Sequence, residues 1–263
     1  MTSLAPISCY IRTKNEERMI GEVIRAAQQV VSEVVLIDSG STDKTIEIAE
    51  GLGARVVRAP WLGGGKQKRL GEDACVHDWL LDLDADEVVT PELADEIRAY
   101  FIKGEPATPV FEMNMATSPP VGETWWTYNL VDRRKLYDRR VIRQPDHSNW
   151  DQFKVPAGMR VQKLKAPLLH YSFRDLAQLE DKFNRNSSGR ARDTKLKPFW
   201  QAALRMLLAR PIYFLNHYLR RGLWRAGWYG VAVASIAAHG RWLKDAKMVE
   251  IHLRDREARA KDD

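Results

Sequence analysis

A chain of 263 residues is long for one simple core and short for two full domains, which points to one large α/β unit with a C-terminal elaboration. With 44% hydrophobic and 29% charged residues it lies near globular averages, which excludes a disordered, collagen-like or disulfide-scaffold protein. The net charge of +6 is uneven: residues 182–225 carry eleven basic side chains against one acid, Asp193, leaving the rest of the chain at about −4.

A basic segment of this kind suits an anionic membrane surface, phosphorylated acceptors or nucleic acid, with a solvated helical face as the alternative. Cys9 and Cys75 give no disulfide framework and read as reduced packing residues in an intracellular chain. No basic region followed by a long apolar run opens the sequence, so no secretory signal is expected. The apolar windows 199–219 and 228–239 are, respectively, interrupted by Arg205 and Arg210 and too short to span a bilayer.

In chain order, residues 6–11 read as a strand and 16–31 as a helix with Ile20, Val23, Ile24 and Ala27 on one face. A buried-type strand over 33–37 ends at Asp38, and a loop over 39–43 leads to a helix reaching about Gly51. Residues 55–58 form a third strand, Gly63 to Gly65 a loop, 66–75 a helix and 79–83 a fourth strand ending in Asp84-Ala85-Asp86-Glu87. Thr90 as N-cap and Pro91 at the first helical position open the next helix. Such alternation implies a mostly parallel sheet covered on both faces. Strands are expected over 108–115, 125–131 and 139–143, and 164–171 brings the chain back. From Leu176 the pattern is helical, broken at Pro198, Pro211 and the glycines of 222–230.

Functional residues of such a sheet belong at the carboxyl ends of its strands. Thr13 to Glu16, Asp38, and Asp84 with Asp86 all lie there. In an extended chain Asp84 and Asp86 point to one side, and two adjacent acids repel unless a cation sits near them. A hard divalent ion bridging to substrate phosphates is the natural tenant. The run Gly63-Gly64-Gly65-Lys66 is not a P-loop, since Gln67 replaces the Ser or Thr that motif needs. Asp43 reads as the N-cap of its helix.

The order Thr13-Lys14-Asn15-Glu16-Glu17, then Ile37-Asp38-Ser39-Gly40-Ser41-Thr42-Asp43, then Leu83-Asp84-Ala85-Asp86-Glu87 resembles the family 2 glycosyltransferases. Trp61-Leu62-Gly63-Gly64-Gly65-Lys66-Gln67-Lys68, Leu169-His170-Tyr171-Ser172 and Arg221-Gly222 look like the lipopolysaccharide core beta-glucosyltransferase subgroup. The resemblance implies a nucleotide-diphospho-sugar transferase fold of GT-A type. The implied catalytic domain covers 1–175, with a donor half to about 104 and an acceptor half from 105. A helical, basic and aromatic membrane-associating extension follows over 176–263.

On that resemblance Thr13, Glu16 and Asp38 line the nucleoside pocket, with Asp38 accepting from base or ribose. Asp84 approaches the ribose and the metal, a Mg or Mn ion, and Asp86 coordinates that ion on the diphosphate. Gln67, Lys68 and Arg69 stand where the family places donor contacts; for Lys68 a solvated helix position is the alternative. An inverting transfer also needs a base for the acceptor hydroxyl. Asn149-Trp150-Asp151-Gln152 stands where the subgroup has a His-Glu pair, so Trp replaces His and Asp151 supplies the carboxylate. The base is assigned to Asp151, with Asp146 as the alternative. His170 closes over the diphosphate, adds a metal contact, or is structural. Lys182 and Arg185, at i and i+3 on one helix face, hold diphosphate or acceptor phosphates, or are solvated.

The interleaved aromatic and basic residues of the last third fit a membrane interface, and no RNA-binding signature accompanies them. The expected activity is inverting transfer of a hexose, glucose in the first place, from a UDP-linked donor to a lipid-linked glycan such as lipopolysaccharide core. The expected location is peripheral, on the inner face of the cytoplasmic membrane. Two rivals are a nucleotidyltransferase, disfavoured by Arg12-Thr13-Lys14-Asn15 where that class puts a glycine-rich loop, and a non-catalytic surface-binding module.

Overall fold

The computed structural model describes residues 5–193 and 195–262. The chain forms two compact units, Met1–Ala116 with Leu130–Tyr171 and Thr117–Asn129 with Ser172–Asp263.

The first unit is built on β1 (Ala5–Thr13), α1 (Ile20–Ala27), β2 (Val31–Asp38), α2 (Thr45–Gly51), β3 (Arg55–Arg58), α3 (Gly64–Ala74) and β4 (Trp79–Asp84). It continues through β5 (Glu87–Val89), α4 (Pro91–Phe101), β6 (Val110–Thr117), β7 (Val131–Asp138), β8 (Val161–Lys163) and β9 (Leu168–His170). The sheet order is β3-β2-β1-β4-β7-β6-β9-β5, with β8 on β6. The first four strands are mutually parallel, while β7 joins β4 and β6 in antiparallel pairs.

The strands read as apolar runs because both faces are covered. Ile7, Cys9 and Ile11 of β1, Val34 and Leu36 of β2, and Trp79, Leu81 and Leu83 of β4 enter one core cluster. The alternating residues Tyr10, Val35, Ile37 and Leu80 enter the cluster on the opposite face. Burial raises both thiols well above their ordinary values, as expected of packing cysteines.

Several elements differ from the sequence expectation. Helix α1 begins at Ile20, not at residue 16, because Asn15 adopts a left-handed backbone (φ 55°) and the Glu16 amide donates to Thr45 Oγ1 at 2.8 Å. Residues 125–131 form no strand: Trp125 makes an isolated bridge to Thr117, and β7 starts at Val131. Residues 139–143 turn instead of extending, since the Asp138 carboxylate accepts the Arg140 amide at 2.9 Å and its carbonyl accepts from Val141 and Ile142.

The second unit contains α5 (Leu176–Asp193), α6 (Phe199–Leu215), a π-helical turn over Asn216–Arg220, a 3₁₀ turn over Leu223–Ala226 and α7 (Gly227–Asp262). Trp125, Tyr128, Phe173, Leu179, Leu223 and Val233 form its core. Helix α6 runs through Pro211, contrary to the expected break, because Pro211 is exposed and α6 is held along α7. No helix among the described residues is long and apolar enough to cross a membrane.

Candidate active site

The parallel register sets the site. Thr13 pairs with Asp38 and Arg12 with Asp84, so the last residues of β1, β2 and β4 arrive together at one sheet edge. A cleft of about 410 Å³ opens there, lined by Thr13, Lys14, Glu16, Trp61, Asp84 and Asp86 together with Arg12 and Ser39. The loops beyond β1 and β2 are stitched to each other: Asn15 Oδ1 accepts the Thr42 amide at 2.8 Å, and Asp43 Oδ2 accepts the Glu17 amide at 3.1 Å. Asp43 thus braces the start of α2, with Oδ1 accepting from Thr45, but from one residue before the N-cap, which is Lys44 and not Asp43 as expected.

Asp38 is buried, and its carboxylate accepts from the Gly40 amide at 2.8 Å and the Ser41 amide at 3.0 Å, shaping its own turn. Thr13 Oγ1 is buried beside the cleft without a hydrogen-bond partner, which leaves it available to a ligand.

Asp84 and Asp86 reach the same cleft by different routes, because the chain turns at Ala85 and Asp86 before β5. Arg12 Nε and Nη2 both donate to Asp84 Oδ1, at 2.9 and 2.5 Å. Lys135 Nζ lies 3.8 Å from Asp84 Oδ2 and 2.7 Å from Glu87 Oε2. Burial pushes the Asp84 carboxyl upward, but Lys135, then Arg12 and Lys68, outweigh it and hold Asp84 well below the usual carboxylate range. The cation required beside the two acids is therefore already supplied by the protein at Asp84.

Asp86 is the less engaged acid of the two. Its Oδ2 lies 3.2 Å from His170 Nε2, and the Tyr171 amide donates to its carbonyl at 2.8 Å. One carboxylate oxygen and one imidazole nitrogen, both partly exposed, suit a divalent cation of the Mn or Mg class. No group of three or more His, Cys, Asp or Glu side chains among the described residues is set to hold an ion. An ion here would take its remaining ligands from water and substrate oxygens, as Mg²⁺ commonly does.

Gln67 and Lys68 are buried, and neither faces the cleft. Gln67 braces the loop below it, accepting the Leu62 amide and donating to Ser39 Oγ at 3.1 Å. Lys68, on the covered face of α3, is neither solvated nor a cleft contact: its Nζ lies 2.6 Å from Asp82 Oδ2, with both side chains almost wholly buried. Arg69 lies 3.7 Å from Glu72. Lys182 donates to the Ser172 carbonyl at 3.1 Å and, with exposed Arg185, belongs to the second unit.

Asp151 joins the cleft cluster. Its Oδ2 is 3.5 Å from Arg12 Nη2 and 4.0 Å from Lys68 Nζ, and its side chain is 44% exposed. Asp146 is exposed and has no side-chain partner among the described residues. The glycine run holds the loop that carries Asp151: the Gly64 amide donates to Ser148 O at 2.7 Å and the Gly65 amide to His147 O at 3.0 Å. A Cβ on Gly65 would stand 2.2 Å from the Trp150 carbonyl oxygen, so only glycine lets that backbone lie against the start of α3. Arg12, Lys135 and Trp61 are site residues that motif reasoning gave no role. A charged residue inside the apolar run of β1 was the signal for Arg12, whereas Lys135 follows Asp132, Arg133 and Arg134 and carried none.

Residues 8–166 match the family described as Glycosyl transferase family 2. The chain belongs to that family. An uncharacterized glycosyltransferase of Rickettsia typhi is 32% identical, over 97% of this chain and 91% of its own length. The lipopolysaccharide core biosynthesis glycosyltransferase LpsC of Rhizobium meliloti is 29% identical, over 94% of this chain and 93% of its own length. A crystal structure of glucosyl-3-phosphoglycerate synthase from Mycobacterium tuberculosis shares 26% identity over 44% of each chain, with a TM-score of only 0.34, from which no functional detail follows. For this family 2 chain the mixed, mostly parallel sheet followed by C-terminal helices is the expected GT-A type fold.

Proposed function

We propose that this family 2 glycosyltransferase is an inverting, metal-dependent enzyme that moves a hexose from a UDP-linked donor to a lipid-linked glycan of the lipopolysaccharide core type. The observation that carries the reading is the division of labour between Asp84, neutralised by Arg12 and Lys135, and Asp86, paired with His170 at the cleft edge. The relative LpsC, matched along nearly the whole chain, supports the acceptor class.

In this reading Thr13 and Glu16 frame the nucleoside, with the orphan hydroxyl of Thr13 meeting it directly, and buried Asp38 shapes the turn beside them. Trp61, 59% exposed at the cleft, offers a ring face for the base or the sugar. Asp86 and His170 would hold a Mg or Mn ion, which supplies charge neutralisation for the departing diphosphate. Asp151 takes the proton of the acceptor hydroxyl as its oxygen attacks the anomeric carbon, and needs no protein acid opposite it. Asp151 is preferred to Asp146 because it shares Arg12 with Asp84, whereas Asp146 touches none of the cluster.

The exposed apolar face of α6 and the turn after it supports a peripheral position on an anionic membrane surface, which we read as the inner face of the cytoplasmic membrane. Trp200, Leu204, Leu207, Ile212, Leu215 and Leu219 recur at helical spacing and are all at least half exposed. Arg220 and Arg225 beside this stripe match an anionic headgroup layer. Two other arginines of the basic segment are engaged within the unit: Arg205 pairs with Asp245 at 3.1 Å, and Arg210 stacks 4.3 Å over the Trp242 ring.

The test is calorimetry of UDP with manganese on wild type and Asp86→Asn. Metal-dependent binding is expected to vanish in the variant while the thermal transition stays in place. Equal affinity in both would overturn the metal assignment.

A further inference from the structure

The second unit contains a cavity of about 230 Å³ of a different character. Lys182 and Arg190 of α5, His217 of the π turn, Arg221 just beyond it and Arg241 of α7 converge on it, and no acidic side chain lines it among the described residues. Lys182 donates to a backbone carbonyl, Arg221 donates to Asn129 Oδ1 at 3.4 Å and faces the Tyr128 ring, and Arg241 lies over the Tyr213 ring at 5.4 Å. None of these three has a carboxylate within ion-pair distance among the described residues. Lys182, Arg221 and Arg241, three cations without a counterion among the described residues, repel one another, and Lys182 and Arg241 do so partly out of water.

His217 adds an independent sign. It is 6% exposed, and its Nδ1 has no hydrogen-bond partner. Burial, then Arg221 and Arg241, push its pKa down to about 4, so the imidazole is neutral near neutral pH. A buried polar nitrogen without a partner is uncommon in a folded chain. An anion in the cavity would answer both the unbalanced charge and the unpaired nitrogen. At this size the cavity is smaller than the roughly 300–1,000 Å³ of a whole-ligand pocket, so it suits one charged group of a larger molecule. Trp125 and Tyr128 are shared with a neighbouring cavity of about 610 Å³, whose wall includes Val121, Trp126, Leu223 and Tyr229. That aromatic space can hold the apolar or sugar body attached to the charged group.

We propose that the cationic cavity of the helical unit is a phosphate-binding site, taking a phosphate ester or diphosphate group of a ligand whose body lies in the adjoining aromatic cavity. The assignment uses no residue of the Asp84 and Asp86 cleft, so it stands or falls separately from the donor reading.

The experiment is calorimetric titration of pyrophosphate into the full chain in the presence of a chelator, for wild type, Asp86→Asn, Arg221→Gln, Arg241→Gln and Lys182→Gln. Wild type and Asp86→Asn are expected to bind alike, and each of the three cavity variants to bind at least about tenfold more weakly. A far-UV circular dichroism spectrum and thermal transition like those of the wild type show that the cavity variants are folded; the three substitutions lie on separate elements, so one misfolded variant leaves two readings. Absence of pyrophosphate binding to wild type, or equal affinity in every folded cavity variant, overturns the site. Glucose 1-phosphate and phosphatidic acid vesicles then separate the sources. Loss of sugar phosphate binding in the cavity variants assigns a phosphorylated glycan, and loss of vesicle binding assigns a lipid phosphate. A wild type that binds neither, while binding pyrophosphate, assigns a diphosphate group.

Discussion

Arg12 and Asp84 face each other in register across β1 and β4, and the guanidinium gives two of its N–H groups to a single carboxylate oxygen. The same guanidinium reaches Asp151 and the Gly64 carbonyl, so one side chain ties the donor acid, the candidate base and the start of α3 together. Removing it as Arg12→Met leaves the half-buried Asp84 carboxylate short of its nearest cation. The expected loss is about 3 kcal/mol of stability, read from urea unfolding, with donor affinity falling as well. Arg12→Lys should recover less than half of that, because a single ammonium cannot reproduce the forked contact.

Asp151→Asn keeps the shape of the side chain and removes its basicity. Turnover is expected to fall by about 10²–10⁴ with UDP affinity nearly unchanged, and Asp151→Glu to retain more activity than Asn. Separate measurement of donor affinity and transfer rate on Asp151→Asn and Asp146→Asn decides the assignment. A rate loss confined to the Asp146 variant would overturn it.

Lys68 and Asp82 form an ion pair with both side chains almost wholly out of water. Lys68→Met strands the carboxylate and should cost about 3–5 kcal/mol, whereas Lys68→Met combined with Asp82→Leu should cost less than the single change. Chemical denaturation of the two variants checks the sign of that coupling.

The lowered pKa of His217 makes an acid-side prediction. Between its ordinary value of 6.5 and about 4, the unfolded chain holds a proton on this residue that the folded chain excludes, so unfolding takes up a proton. Stability should therefore decline as pH falls through that window, with Arg221 and Arg241 as the facing charges. His217→Gln should flatten this part of the dependence. Urea midpoints at about pH 7 and about pH 5 for both proteins provide the comparison.

Leu207→Glu and Leu215→Glu place charges on the exposed face of α6, at positions 74% and 52% exposed, so the fold should be unaffected. Binding to anionic vesicles is expected to weaken about tenfold or more with each. Failure of the wild type to bind such vesicles at low salt removes the interfacial reading.

The parallel half of the sheet was legible because β1, β2 and β4 are apolar on both faces, and β2 and β4 end at Asp38 and Asp84, which lie opposite the neighbouring β1 residues Thr13 and Arg12. Residues 108–171 were harder to read. β7 pairs with β4 and β6 far from it in sequence, and Asp138 turns a β-like run into a loop. Asp84 and Asp86 were found, but the period-two argument for their common direction fails where the chain turns at Ala85. Asp82, an acid inside the apolar run of β4, marked a buried charge, but Lys68 could not be read as its partner until α3 is laid over β1 and β2.

The grip of the glycine run on residues 147–150 is made through main-chain carbonyls, while the side chains of His147, Ser148, Asn149 and Trp150 all remain exposed. Apart from His147, whose Nδ1 accepts the Asn149 and Trp150 amides, a surface fastened by its backbone can exchange residues without losing its position. The lip next to the candidate base can thus diversify toward new acceptors while Asp151 keeps its address.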